Sequence, residues 1–320
     1  MRLRQVIQES GLEDWSEADY VAMRDDEPRT KAYEAAINKR LQGTQGSSVV
    51  VDIGTGSLAL LAIMAAKAGA KKVYAIEKNP EAAKKAKETV TKEGLDGKIQ
   101  VIEGDSTQVE LPEKVDLIVS ELIGSIATQE GVEPIIKDAE KRFLRESEGG
   151  TCAQMIPARV ETRIAPVKYT EHRIMQFASK RGVMSRGKPA PDTLRPLRLR
   201  SKTRDLVFLS EPQTLEEFAF CNTAGFSSRS DRTLKFEVPA KKADDAKDFS
   251  GFAMWTRLVV DEDNVVDVKT QKVTSHWAYV LALMADKPVA MKAPGSLELK
   301  ASVEYDAKPV RYTLETEVPV

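Results

Sequence analysis

Two glutamates nine residues apart carry the most suggestive chemistry in this sequence. Glu121 closes the apolar run that begins at Val115, and Glu130 ends the stretch Glu121-Leu-Ile-Gly-Ser-Ile-Ala-Thr-Gln-Glu130. On a straight helix, nine steps of about 100° would set the two side chains on opposite faces. They converge only if the chain folds back, which Gly124 and Ser125 permit. Two converging carboxylates make a clamp for a planar cation, and a guanidinium offers its donors in the fork geometry that carboxylates match. The competing reading is two solvated glutamates in a loop. It loses weight because Glu121 ends a strand beside a second set of residues, Asp52-Ile-Gly54-Thr-Gly56-Ser-Leu58 and Glu77. The two glycines let the backbone turn tightly against a ligand before a helix starts. Glu77 lies 25 residues beyond Asp52, where an acidic side chain can accept hydrogen bonds from both hydroxyls of a ribose. A phosphate loop fits poorly, because Leu58 and Ala59 supply neither a third glycine nor a Lys-Ser/Thr pair. Together the turn and Glu77 favour an adenosine-containing cofactor, against glycines that serve only the turn and a glutamate that merely ends a strand.

These residues need a scaffold that brings strand ends together. Ser48–Ile53 is a continuous apolar run, as in a parallel strand covered on both faces, and Leu58–Ala68 continues as an apolar helix. Val73–Ile76 is a second strand; Asn79 and Pro80 then cap and open a helix that runs to about Lys92. Lys98–Ile102 and Val115–Val119 are two more strands. This alternation predicts a doubly wound α/β sheet, which binds ligands beyond the carboxyl ends of its strands where strand order reverses. From about residue 158 the pattern changes to short β-rich pieces, with Leu234–Val238, Ala253–Val260 and Trp277–Met284 as strands. The expected organisation is 1–46, 47–157 and 158–320.

Composition narrows the field further. The 320 residues are 42% hydrophobic and 30% charged, which describes an ordinary globular protein and rules out a disordered, collagen-like or coiled-coil chain. Lys plus Arg (48) against Asp plus Glu (49) gives a net charge of -1, which excludes a polycation built for nucleic acid. No apolar run approaches the roughly 18 residues of a membrane span. The charged opening MRLRQVIQESGLED lacks the apolar core of a signal peptide, so the expected compartment is the cytosol, with nuclear access open. With two histidines and two cysteines, a metal centre is not expected, and no disulfide between Cys152 and Cys221 is assumed. Between Lys168 and Asp205 stand eleven Lys/Arg and three acids, a net of +8 that leaves -9 for the rest. This basic stretch has few aromatics to stack bases, which favours a solvated arm over a nucleic-acid site, and the acidic remainder suits cationic substrates.

Several of these stretches together resemble the protein arginine methyltransferases. The resemblance runs from about Asp14 to the C-terminus. It is most specific at Tyr20-Val-Ala-Met23 with Arg29 and Tyr33, at the glycine turn of 52–58, at YAIEKNP (74–80), at the double-glutamate loop of 120–130, and at Thr274-Ser-His-Trp277. GTGSL, YAIEKNP, PEKVDLIVSELIGS and KDAEKRFL are similar to the symmetric-dimethylating branch, whereas Met23 and His276 resemble the asymmetric-dimethylating and monomethylating branches. Leu58 departs from the third glycine of many relatives but matches the turn of the symmetric branch.

The resemblance implies a methyltransferase domain of the S-adenosylmethionine-dependent class followed by a β-barrel with an inserted arm at about 168–205. N-terminal helices would close over the cofactor. Asp52, Gly54 and Gly56 would line its methionine and ribose side, Glu77 would bind the ribose hydroxyls, and Asp105 with Ser106 would flank the adenine. Arg29 would pair with its carboxylate, and Tyr20 and Met23 would cover it. Glu121 and Glu130 would hold the substrate guanidinium, Trp277 would contact substrate, and His276 would assist or anchor the N-terminal helix. The implied substrate is an arginine-containing protein and the implied assembly a homodimer. A small guanidino metabolite as substrate and an inactive cofactor-binding scaffold are the alternatives.

Overall fold

The structure is a computed structural model that describes residues 1–8, 16–44, 46–146, 150–172, 195–221 and 223–319. In its first half five parallel strands, β2 (Val49–Ile53), β3 (Lys72–Glu77), β4 (Ile99–Glu103), β5 (Leu117–Ser120) and β6 (Met155–Ile156), form one sheet in the order β4-β3-β2-β5-β6. The apolar runs of β2 and β5 are buried along their whole length, as strands covered on both faces must be. The chain steps outward from β2 through β3 to β4 and then returns to β5 on the other side of β2. Strand order therefore reverses between β2 and β5, which sets the glycine turn after Ile53 beside Glu121 after Ser120. Helices α3 (Leu60–Lys67), α4 (Pro80–Lys92) and α5 (Val132–Phe143) connect the strands. Asn79 caps α4 with its side chain on the amides of Glu81 and Ala82, as its Asn-Pro start predicts.

Two helices precede this sheet, α1 (Glu17–Asp25) and α2 (Glu27–Gln42). Ser16 and Asp19 form a reciprocal capping box on α1, and the Asp26 side chain caps α2. The first residues differ from the expected helical segment. Arg2–Ile7 is a strand, β1, that pairs antiparallel with β16 (Arg311–Glu317) in the second half. Leu3 and Ile7 supply the reason, since both are buried in the core of that half.

The second half is two antiparallel sheets facing each other. The smaller has the order β1-β16-β15-β11, with β11 spanning Arg229–Val238 and β15 Gly295–Glu304. The larger has the order β10-β7-β12-β14-β8, formed by Gln213–Ala219, Arg159–Tyr169, Gly251–Val259, Tyr279–Leu283 and Leu197–Leu199; β9 (Leu206–Phe208) and β13 (Val265–Asp267) pair at its margins. One face of the larger sheet, with Ile164, Phe252, Met254 and Val280, packs against Phe236, Leu299, Tyr312 and Leu314 of the smaller. Its other face, with Val160, Trp255, Leu258 and Leu281, shares a core with the parallel sheet. The larger sheet is the wall between the halves. Cys152 and Cys221, left unpaired in the sequence reading, form a disulfide that ties the turn before β6 to the chain after β10. Residues 173–194 of the basic insertion lie outside the described residues. Among the described residues no helix is long and apolar enough to cross a membrane.

Candidate active site

The glycine turn lies where the sheet reverses. Gly54 and Gly56 have φ of +73° and +65°, and the amides of Gly54 and Thr55 donate to the Ile76 carbonyl. A Cβ on Gly54 would stand 2.7 Å from Leu122 Cδ2, and one on Gly56 would stand 2.6 Å from Tyr20 Cε1. Glycine is thus required twice, by the left-handed backbone and by close packing of the glutamate loop and α1. Tyr20 covers the turn from α1, and its hydroxyl pKa is pushed up to about 12 by burial and by the charge on Glu77.

Asp52, next to last in β2, is fully buried. One carboxylate oxygen accepts from the Thr55 hydroxyl at 2.6 Å and the Ala62 amide at 3.0 Å, while its Oδ1 has no partner. Burial pushes its pKa up to about 7 against the pull of those hydrogen bonds. Arg29, from the first turn of α2, donates to Glu121 at 2.7 Å and to the Met23 carbonyl at 3.1 Å, and its Nε is buried without a partner. Tyr33, one turn on, carries the Arg29 guanidinium 5.5 Å from its ring centre and donates to the Ser120 carbonyl at 3.0 Å, which docks α2 on the end of β5. Tyr20, Met23, Arg29, Asp52, Gly54, Gly56 and Glu121 all line one cleft. Its two orphaned polar atoms are a carboxylate oxygen and a guanidinium nitrogen. An α-amino acid group carries the complement of both, an ammonium and a carboxylate, so the donor set fits the methionine end of S-adenosylmethionine.

Glu77 ends β3 with both oxygens accepting from backbone, the Gly56 amide and the Asn79 amide at 2.8 Å each. Its side chain therefore stands at the rim of the turn, with acceptor capacity left for hydroxyls. Asp105 and Ser106 follow β4 next to it, with the Gly104 amide on the Glu77 carbonyl, but neither lines the cleft. The Asp105 carboxyl accepts from Thr107 and pairs with Lys78 at 3.0 Å, which together pull its pKa down to about 2. The Ser106 carbonyl accepts from Arg142.

Glu121 and Glu130 lie near enough for the charge of one to act on the other, but Glu130 is not among the residues that line the cleft. Glu121 is nearly buried, and its second oxygen accepts from the Ile123 amide at 3.1 Å. Glu130 is half-buried; its pKa is pushed up to about 7 by burial and by the nearby charge on Glu121, against the pull of Arg198. The intervening loop is fastened to the barrel half. Thr256 donates to the Gly124 carbonyl at 2.7 Å, Trp277 Nε1 to the Ile123 carbonyl at 2.9 Å, and the Ala278 amide to Ser125 at 3.0 Å. Trp277, expected against substrate, is 2% exposed and serves as such an anchor.

His276 takes the anchoring role. Its Nδ1 lies 2.8 Å from Asp26 Oδ2, and its amide and the Ser275 hydroxyl donate to the same oxygen at 3.0 and 2.6 Å. Burial alone would raise the Asp26 pKa, but hydrogen bonds from His276 and Ser275 outweigh it and hold the carboxyl below its usual range. Sequence reasoning missed Asp26. Its only local signal is a helix-capping aspartate two residues before Pro28, which says nothing of a partner 250 residues away.

Comparison with known proteins fits this geometry. Residues 8–151 match the family model described as PRMT5 arginine-N-methyltransferase. A probable protein arginine N-methyltransferase 6.1 of Oryza sativa subsp. indica is 36% identical over 150 residues, 47% of this chain and 38% of that one. Residues 8–151 thus resemble the protein arginine methyltransferases over a little under half of the chain. The histone-arginine methyltransferase CARMER of Aedes aegypti is 38% identical over 144 residues, covering 45% of this chain and 23% of its own length. The matched part thus spans well under half the length of these curated relatives. The fold likeness reaches further. The protein arginine methyltransferase 10 of Arabidopsis thaliana superposes with a TM-score of 0.68 at 20% identity, covering 93% of this chain and 96% of that one. The Trypanosoma brucei PRMT1 enzyme-prozyme complex with AdoHcy gives the same score and identity over 89% and 87%. The doubly wound parallel sheet followed by an antiparallel β half, expected from sequence, is therefore the observed architecture and is shared with these two structures.

Proposed function

We propose that this protein transfers a methyl group from S-adenosylmethionine to the guanidinium of arginine in protein substrates. The observation that supports the reading is the cleft at the reversal point of the sheet where Asp52, Arg29 and Glu121 meet, with Glu130 near enough to Glu121 for their charges to interact. When bound, the cofactor supplies an electrophilic methyl on a sulfonium that is its own leaving group, so the protein's task is positioning more than strong base chemistry. Asp52 and Arg29 would hold its amino-acid end, Glu77 its ribose, and Tyr20 would cover it from α1.

The nucleophile is the difficult partner, since a guanidinium is protonated and delocalised. Arg29 pairs with one oxygen of Glu121, and in this reading that carboxylate holds one edge of the substrate. Glu130 holds another nitrogen, and a docked cation favours its charged form against the burial that raises its pKa. Gripped this way, the guanidinium concentrates positive charge on the held nitrogens and leaves the third richer in electrons for attack. Methylation of that nitrogen releases one proton, and Glu130, titrating near neutrality, is suited to accept it.

The test is a transfer assay with labelled S-adenosylmethionine, an Arg/Gly-rich peptide, a histone mixture and free arginine, with fragmentation of the products. Label on peptide arginine is the expected result; label confined to free arginine would replace the protein substrate with a metabolite. Cofactor binding with no transfer to any guanidine would refute the enzymatic reading. The same reading includes a homodimer joined through the 168–205 insertion, checked by sedimentation. A cytosolic home remains part of it, although the Cys152–Cys221 disulfide weighs against a reducing compartment.

A further inference from the structure

The barrel half contains a buried carboxylate that the proposed chemistry does not use. Glu216 lies in β10, where the register against β7 slips between Thr214 and Glu216, so that Leu215 and Glu216 are both buried although adjacent. Glu216 is 1% exposed. Its oxygens accept from the Thr128 hydroxyl at 2.7 Å, the Thr162 hydroxyl at 2.6 Å and the Tyr312 hydroxyl at 3.2 Å, and the Thr128 amide approaches at 3.5 Å. Thr162 in turn accepts from the Ala127 amide at 2.9 Å. One carboxylate thus grips consecutive residues of the glutamate loop directly and through a hydroxyl.

A fold that needed only stability would place an apolar side chain here, because a buried carboxylate is costly and well-packed hydrophobic replacements are often neutral or better. What the carboxylate adds is direction, since it fixes Thr128, two residues before Glu130. Among the described residues no hydrogen bond holds the Glu130 carboxylate itself, and the chain after it turns at Gly131 with φ of +72°. The position of Glu130 is therefore inherited from the backbone that leads to it.

We propose that Glu216 is a positioning residue for the clamp: by holding Thr128 from the barrel side it sets where Glu130 stands relative to Glu121. The proposal rests on the reading of those two glutamates as the guanidinium site. It predicts that disturbing the grip lowers turnover without loosening the cofactor, because misplacing a reacting group by about 1 Å can cost on the order of a hundredfold.

The experiment compares the full-length wild type with Glu216→Leu, Glu216→Gln, Thr128→Val and Thr128→Ser, using an Arg/Gly-rich peptide and AdoHcy as probes. Expected are a fall in kcat of about tenfold or more in Glu216→Leu and Thr128→Val, with peptide KM and AdoHcy Kd within about twofold of wild type. Thr128→Ser should recover most of the rate, Glu216→Gln should lie between, and Glu216→Gln combined with Thr128→Val should be no slower than Thr128→Val alone. Hydrogen exchange of the AdoHcy-bound proteins should be faster at Ala127 and Thr128 in Thr128→Val and Glu216→Gln, which keeps the test available if Glu216→Leu fails to fold. Unchanged kcat, or unchanged exchange at these amides, would overturn the role of Glu216 while leaving the proposed activity standing. A wild type that binds AdoHcy but methylates no guanidine would overturn the activity and the clamp together.

Discussion

Glu121 and Glu130 end the same loop, yet the protein holds them by different means. Glu121 follows a strand buried along its length and is paired with Arg29 at 2.7 Å, both side chains almost inaccessible to solvent. Glu130 follows a loop fastened to the barrel, and its pKa is pushed up to about 7. The first carboxylate thus receives its place and its ion-pair partner from the half that carries the glycine turn. The second receives its place from the barrel half, and its pKa is set by burial and the charge on Glu121 against the opposing pull of Arg198. A clamp built this way would have one jaw tied to a buried cation and one whose protonation responds to the ligand.

The sharpest way to break this contrast is to remove the jaw paired with Arg29. Glu121→Ala leaves the Arg29 guanidinium buried without its anion, which should cost about 3 to 5 kcal/mol in folding stability, measured by urea unfolding, besides abolishing transfer. A variant as stable as wild type would mean that Arg29 finds another partner and that Glu121 is not locked. Next in size is Asp26→Ala. Asp26 caps α2, the helix that also carries Arg29, and takes three contacts from Ser275 and His276, so it is the barrel's hold on that jaw. Losing the cap and leaving those donors unpaired should cost about 2 kcal/mol. Its carboxyl is held below the usual range, so this stability is present above about pH 4 and is lost as acid protonates Asp26 in the folded state. The difference between wild type and Asp26→Ala should therefore shrink in strong acid. A gap unchanged across that range would show that the contacts do not depend on the charge.

How much of this was legible in the sequence follows the range of the interactions. The VVVDI strand, the glycine turn, Glu77 and the Asn79-Pro80 cap are local patterns, and each stands where local chemistry placed it. That Glu130 comes within electrostatic reach of Glu121 was legible because Gly124 allows a return and the first glutamate ends a strand. What escaped was set by pairing across the chain. Nothing in RLRQVI names β16, some 310 residues away, as its partner. Asp26 meets His276 across 250 residues, and the disulfide spans 69. Glu216 was hidden by the register slip, because strand alternation puts one member of Leu215-Glu216 outside, whereas both are buried. The barrel's grip on the loop is the part that sequence periodicity could not express.

The smallest expected effect on stability tests the second jaw. Glu130→Gln should slow transfer by about a hundredfold, as loss of a positioned proton acceptor does, while changing stability only through pH. The folded-state pKa of Glu130, about 7, lies above the ordinary 4.5, so folding favours its protonated form. That contribution is fully present below about pH 4.5 and is lost as pH rises through 7, because above it the folded protein must carry a charge beside Glu121. Glutamine stays neutral throughout. Wild type and Glu130→Gln should therefore unfold at nearly the same urea concentration in acid, with the variant gaining ground between pH 5 and 8. Turnover of the wild type should rise across the same interval as Glu130 becomes able to hold a guanidinium and accept its proton. If the stability difference does not move with pH, or the rate profile is flat through neutrality, Glu130 is already charged in the empty site and the two jaws are held alike.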